Sequence, residues 1–303
     1  MHTILARDKS NKTATGFKGY LFLTEDLRKK IKINANGISV LGISKNNIAN
    51  LDVKLPSKQE QEKISSFLHA IDKKIELLEK TRKNLEILNF ELISKIMEQN
   101  YKIPGQKNIW KEISLKDIGK SYAGLSGKNK DDFNKGNSKY IPYRSIFNDI
   151  ILNSYKFESV VINENENQNL VKKGDIFFTG SSETPEEVGM ASVLLQKLDN
   201  CYLNSFCFGF RLNSFEEYNP LFLVYYFRSL KFKKELFKLA QGSTRFNISK
   251  KELLKKEIAV PSKFEQDYYV KMINELFTKM EHINKTLSCL KNFKKGLLQK
   301  MFV

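Results

Sequence analysis

LPSKQEQEKISSFLHAIDKKIELLEKTRKNLEILNFELISKIM, residues 55–97, has a counterpart later in the same 303-residue chain. Gly37 and Gly242 share a context, NGISVLGISK against QGSTRFNISK, and their offset of 205 (242 − 37) holds without a gap to the C-terminus. At that offset Ile43, Ser44 and Lys45 meet Ile248, Ser249 and Lys250. Pro56, Ser57, Lys58, Glu60 and Gln61 likewise meet Pro261, Ser262, Lys263, Glu265 and Gln266. A repeat of this length is a domain plus a connector, not the rung of a solenoid.

Each copy carries its own helix start. Ser57-Lys58-Gln59-Glu60 and Ser262-Lys263-Phe264-Glu265 read as capping boxes, in which the hydroxyl and the glutamate satisfy each other's backbone amides. A short strand-like piece closed by proline precedes each, Asp52–Leu55 and Glu257–Val260. After each cap the apolar residues alternate at spacings of three and four: Ile64, Phe67, Ile71, Leu78, Leu85, Leu88 and Leu92, then Met272, Leu276, Met280, Ile283, Leu287, Leu290, Phe293, Leu297 and Met301. That is a heptad seam. A helix of about 40 residues is about 60 Å long, and its narrow stripe needs a partner. The two copies are expected to pair with each other as an antiparallel coiled coil, a spacer between the segments that precede them.

With 51 Lys+Arg against 34 Asp+Glu, the formal charge of +17 points to a polyanionic partner, nucleic acid before membrane. No window approaches a membrane span and no signal-like segment opens the chain, so a cytoplasmic protein is expected. Cys201, Cys207 and Cys289 share no CxxC and His2, His69 and His282 are scattered. Free buried thiols are the expectation, not a zinc site.

Residues 109–206 alternate short apolar runs with turn residues. KYIPYRSIF, DIFFTG, MASVLLQ and CYLNSFCFGFRL read as strands, and one helix, Phe222–Ala240, follows. The fold class is therefore α/β, a mixed α+β domain, plus the two long helices. The boundaries read as a partial domain 1–54, a spacer 55–103, a complete domain 104–260 and a second spacer 261–303. In the first copy, Ile4-Leu5 reads as a strand and Phe17–Ala35 as a helix stopped at Asn36-Gly37. The counterpart of Trp110 would fall before Met1, so the first domain is expected to be incomplete, with an apolar helix face that calls for self-association.

Catalytic signatures are missing. Gly119-Lys120-Ser121 lacks the first glycine of a phosphate loop and reads as a turn after a short helix, and no G-x-G occurs. Asn219-Pro220-Leu221 is not the Asn-Pro-Pro-Tyr of an amine methylase; it starts a helix. Asp175 with Glu183, Glu186 and Glu187 lacks the downstream Glu-x-Lys of a metal nuclease, and these read as solvated carboxylates. Binding residues remain. The loops 126–139 and 179–188 gather Lys128, Lys130, Lys135, Lys139, Thr179, Ser181 and Ser182. Tyr143-Arg144 is expected at a strand end and Ser243-Thr244-Arg245-Phe246-Asn247 after a helix. Arg, Asn and Ser/Thr are types that read base edges, whereas lysines more often sit on phosphates.

GSTRFNISKKELLKKEIAVPSKFEQ (242–266), with the tail KNFKKGLLQKMF (291–302), resembles the specificity subunits of type I restriction-modification enzymes. KKGDIFFTG, EVGMASVLL and LNSFCFGFRL resemble their target recognition domains, and NGISVLGISKNNIANLDVKLPSKQEQEKISSFL resembles their central spacer. The resemblance implies tandem domains that each read half of a split double-stranded DNA target. It also implies docking of methyltransferase subunits and a motor-nuclease subunit. S-adenosylmethionine, ATP and Mg²⁺ would then belong to those partners, and this chain would be no enzyme itself. The departure lies in residues 1–54, where Gly37, Ser39 and Asn47 keep the loop alone. The alternative role is an assembly scaffold that has lost its DNA reading.

Overall fold

Both capping boxes form in the computed structural model, which describes residues 4, 7, 11–36, 42–184, 187–242 and 245–302. The Ser57 amide donates to Glu60 Oε2 at 2.9 Å, and the Ser262 amide donates to Glu265 Oε2 at 3.0 Å. From these starts run helix α4, Lys58–Met97, and helix α10, Lys263–Lys300. The chain divides into two units: residues 1–87 with 277–303, and residues 88–276.

In the first unit the long helices pair antiparallel, Glu79 with Lys291 and Asp72 with Lys294. The seam differs from the expected one by a residue in two places. Phe67 and Leu88 are about half exposed, while Leu68 is fully buried and Asn89 is 5% exposed. Heptad spacing from Gln61 therefore passes through Leu68 to Asn89 and Ile96, a stripe with polar members that a count of apolar residues alone misplaces. On α10 Phe293 is also half exposed, and Lys294 turns inward to Asp72 instead.

Helices α1 (Phe17–Leu21), α2 (Glu25–Ile33) and α3 (Lys45–Ala49) pack on that stem. Phe17, Leu21 and Leu27 are buried with Ile64 and Phe302, and the Phe17 and Phe302 rings stack at 5.1 Å. The single helix expected over 17–35 is broken at Thr24, whose backbone is extended (φ −64°, ψ 148°) and whose hydroxyl donates to the Leu21 carbonyl. Ser229, 205 positions on, breaks the second copy with the same geometry (φ −65°, ψ 152°). Ser and Thr compete for backbone hydrogen bonds and so favour the cap over the helix interior. Asp52–Leu55 forms no strand, with Val53 and Leu55 exposed, because no described strand lies beside it. The readings of Leu5, Gly37, Ser39 and Ser243 lie outside the described residues.

In the second unit, strand β1 (Lys111–Ser114) pairs antiparallel with β11 (Glu257–Val260), burying Ile258 against Ile113. Short helix α5 (Leu115–Ile118) leads into β2 (Gly119–Ala123), a strand where a turn was expected. A four-stranded antiparallel sheet has the order β2, β9 (Cys207–Leu212), β5 (Ile176–Thr179), β7 (Ala191–Val193). A three-stranded sheet joins β4 (Glu158–Val160), β3 (Phe133–Ile141) and β8 (Cys201–Leu203), the last pair parallel. Pro142 ends β3 and caps helix α6, Tyr143–Asn148, so the run expected to be one strand turns helical. A proline with φ near −65° suits a helix start.

Helix α7 (Pro220–Arg228) buries every residue from Leu221 to Phe227 and packs Phe227 on Phe178. At about 1.5–3 kcal/mol per buried apolar side chain, this all-round apolar helix anchors the unit. The single helix expected over 222–240 is divided at Ser229, which separates α7 from α8 (Leu230–Phe237). Two further short elements complete the unit, β6 (Ser181–Ser182) with β10 (Phe246–Asn247), and α9 (Lys250–Leu254).

Candidate nucleic-acid interface

Five sequence-selected residues converge in the second unit. β6 and β10 pair Ser182 with Phe246 and Ser181 with Asn247. Gln241 and Asn247 exchange backbone hydrogen bonds (3.0 and 2.9 Å), closing the loop that presents Arg245. Gly242 fits this loop because φ is +130° and a Cβ there would stand 2.1 Å from the Arg245 carbonyl oxygen. A groove of about 250 Å³ results, lined by Tyr143, Ser181, Ser182, Glu183, Glu187, Phe206 and Arg245. Asn247 is exposed next to it and donates from Nδ2 to the Arg245 carbonyl at 3.2 Å.

Tyr143 opens α6, and α6 is fixed from its other end. Arg228 Nη2 donates to the carbonyls of Ile146 (2.8 Å), Phe147 (3.2 Å) and Asp149 (2.9 Å), where helix carbonyls lack intrahelical partners. The Tyr143 hydroxyl lies within reach of Ser182 and Thr179; burial raises its pKa, and those hydrogen bonds oppose the rise. Arg144 follows it and is exposed. The Ser181 hydroxyl is buried with no hydrogen-bond partner among the described residues, and Ser182 Oγ donates to Glu187 Oε2 at 2.9 Å.

Other candidates have different fates. The Thr179 hydroxyl is buried and spent on the loop, donating to the Glu187 carbonyl at 3.0 Å and accepting from the Met190 amide at 2.9 Å. The Lys128 side chain is 4% exposed and pairs with Glu166 at 2.5 Å, holding that carboxylate down at about 2. Its charge is neutralised where it sits. Lys130, in a turn capped by Asn129, and Lys135 are exposed. Lys139 is exposed on β3, its amine on Ser159 Oγ at 3.0 Å. None of these lysines lines the groove. Thr244 lies outside the described residues.

Two carboxylates read as solvated are not. Asp175 is fully buried and accepts from Tyr122 (2.5 Å), from Arg211 (2.8 and 2.6 Å) and from the Lys172 amide (2.8 Å). Glu187 is half-buried and held by Ser182; Glu186 is outside the described residues. Phe206 was missed. It is 54% exposed at the turn between β8 and β9, and the Arg245 guanidinium stands 5.5 Å from its ring centre. Its signal was an apolar residue at the tip of Asn204-Ser205, where the Asn204 carboxamide accepts the Phe206 amide at 2.9 Å.

Four of the chain's arginines fall in this unit: Arg144, Arg211, Arg228 and Arg245. Arg211 and Arg228 are consumed by Asp175 and by backbone carbonyls. The two left exposed are the one beside Tyr143 and the one over Phe206. No cluster of three His, Cys, Asp or Glu suited to a metal occurs among the described residues, and none of their helices is long and apolar enough to cross a membrane.

An antiparallel helical stem and an α/β unit that leaves two arginines exposed, one of them over an aromatic ring, are features suited to holding a polyanion. Residues 1–87 and 108–292 match the model of the type I restriction modification DNA specificity domain. The chain belongs to that family and is a DNA-recognition subunit of a type I restriction-modification system. Its fold is similar to the crystal structure of the HsdS subunit from Thermoanaerobacter tengcongensis (TM-score 0.56, 19% identity, 95% of this chain and 69% of that one). It is similar also to the type-I restriction-modification system S subunit from M. genitalium (0.57, 18%, 95% and 72%).

Proposed function

We propose that the chain selects the DNA sequence at which separate catalytic subunits act, and catalyses nothing itself. Recognition rests on residues 104–260, with 55–103 and 261–303 as spacers. Arg144, Arg245 and Asn247 face base edges beside Tyr143, Ser181 and Ser182, which shape the groove, while Lys130 and Lys139 sit on phosphates. Methyltransferase subunits and a motor-nuclease subunit dock on the chain in the cytoplasm and bring S-adenosylmethionine, ATP and Mg²⁺ with them. The observation that carries this reading is the sorting of the arginines: two are locked into the fold and two are left exposed, Arg245 in the groove and Arg144 next in sequence to Tyr143, which lines it.

The test is selection of duplexes from a random library by the chain assembled with the methyltransferase subunit of its own system. A single motif that survives competitor DNA and coincides with methylated positions in the host genome is expected. Recovery of no motif sinks the proposal.

A further inference from the structure

The groove holds two chemistries side by side. Arg245 has no carboxylate within ion-pair distance among the described residues, and its guanidinium lies against the exposed Phe206 ring. A cation stacked on a ring face keeps its in-plane N–H donors free at the edge. Glu187 is tied by one oxygen to Ser182 at 2.9 Å, which leaves its second oxygen without a hydrogen-bond partner among the described residues. A fork of donors thus shares the groove with an acceptor held in place.

Each group asks something different of a base pair. The fork needs two adjacent acceptors, which in the major groove only guanine offers, at N7 and O6. A carboxylate needs an N–H donor, which cytosine offers at N4. An A·T pair fails the combination, since adenine sets a donor beside its N7 and would leave the arginine half satisfied, and thymine offers the carboxylate only an acceptor and a methyl group.

Resting on the DNA-reading role proposed above, we infer that this groove reads a G·C pair in the major groove. Arg245 contacts the guanine, Glu187 contacts the cytosine, and Phe206 is a positioning residue that fixes the plane of the arginine.

Duplex selection with the assembled subunit tests this, comparing wild type with Arg245→Ala, Arg245→Gln, Phe206→Leu and Phe206→Tyr. Arg245 and Phe206 are exposed, so thermal melting of each variant should match wild type. A wild-type motif with one invariant G·C is expected. In Arg245→Ala the preference at that position alone falls roughly ten- to a hundred-fold. Arg245→Gln moves it toward adenine, whose N6 and N7 a glutamine amide matches. Phe206→Leu weakens the same position and Phe206→Tyr restores it. If Arg245→Ala lowers affinity evenly across sequences and leaves the motif intact, Arg245 is a phosphate contact and this inference falls while the DNA-reading role stands. If the wild-type assembly returns no motif, the role falls and the inference with it.

Discussion

Asp175 is the residue whose surroundings its sequence context hides most completely. DIFFTG shows a strand and a carboxylate before it, but nothing announces that Arg211, on β9, will lie beside it with Tyr122, or that Gly209 will make room for the Tyr122 ring where any Cβ would stand 2.2 Å from it. The ion pair with Arg211 raises the arginine's pKa and the buried tyrosine's pKa is pushed up as well. Removing the carboxylate strands the Tyr122 hydroxyl and the Lys172 amide, while Arg211, its side chain 33% exposed, can turn to water. Asp175→Ala should therefore cost about 1–3 kcal/mol for each stranded group in urea unfolding; a total loss below about 1 kcal/mol would show that water replaces the carboxylate. The cysteines were legible as free thiols but not in their exposure. Cys201 and Cys207 are buried, burial pushing the first up to about 12, whereas Cys289 is exposed on α10. Thiolate is the reactive form, so native protein should take up one equivalent of maleimide, lost in Cys289→Ser. Labelling of Cys201 at a similar rate would contradict the packing of β8.

At the scale of elements, the helix starts and the heptad periodicity were readable because caps and repeats are local. The exact seam was not, since it passes through Gln61 and Asn89, which an apolar count skips. Asn89 carries the mark of a residue kept for something other than stability: it is buried and its Oδ1 has no hydrogen-bond partner among the described residues. Such a buried polar group in a seam specifies register at a cost in stability. Asn89→Leu should raise stability by about 1–3 kcal/mol, read as a higher melting temperature. A fall would mean that the amide holds a contact worth more than its burial cost. The glutamines have the opposite character. Gln266 accepts the Asn219 amide at 2.8 Å and donates to the Glu217 and Pro261 carbonyls, both at 3.0 Å. Gln61 does the same for Ala14, Lys12 and Pro56 at 2.9, 3.1 and 2.9 Å. Each ties the start of its long helix to the segment before α7 or α1, and every partner is displaced by 205. Gln266→Ala strands three backbone groups at about 1–3 kcal/mol for each one left unsatisfied. It should destabilise more than Glu252→Ala, which removes only an exposed ion pair with Lys255. Equal effects would sink this reading of the glutamine.

For the whole molecule, the repeat was legible by residue identity from Gly37 onward and by its elements before that, and in three dimensions its side-chain contacts keep the offset back to Lys12. The glutamine partners and the matching breaks at Thr24 and Ser229 keep the offset where side-chain identity has drifted. Backbone geometry tolerates substitutions that letters do not. The site was legible by residue type and only half legible by place, because Lys128 and Thr179 differ from Lys139 and Asn247 by burial, and burial depends on strands far away in sequence. The charge of +17 belongs to the whole chain and so does its consequence. Neutralising six to ten phosphates should give log K against log salt a slope of about −5 to −9. That electrostatic part is blind to sequence, so the selected duplex and a scrambled one should fall with similar slopes, separated by a gap that marks base reading. Anisotropy titrations between 50 and 200 mM KCl measure both lines. A slope near zero for both duplexes would mean that the surplus lysines never meet the backbone. Coincident lines would mean that they hold DNA without reading it.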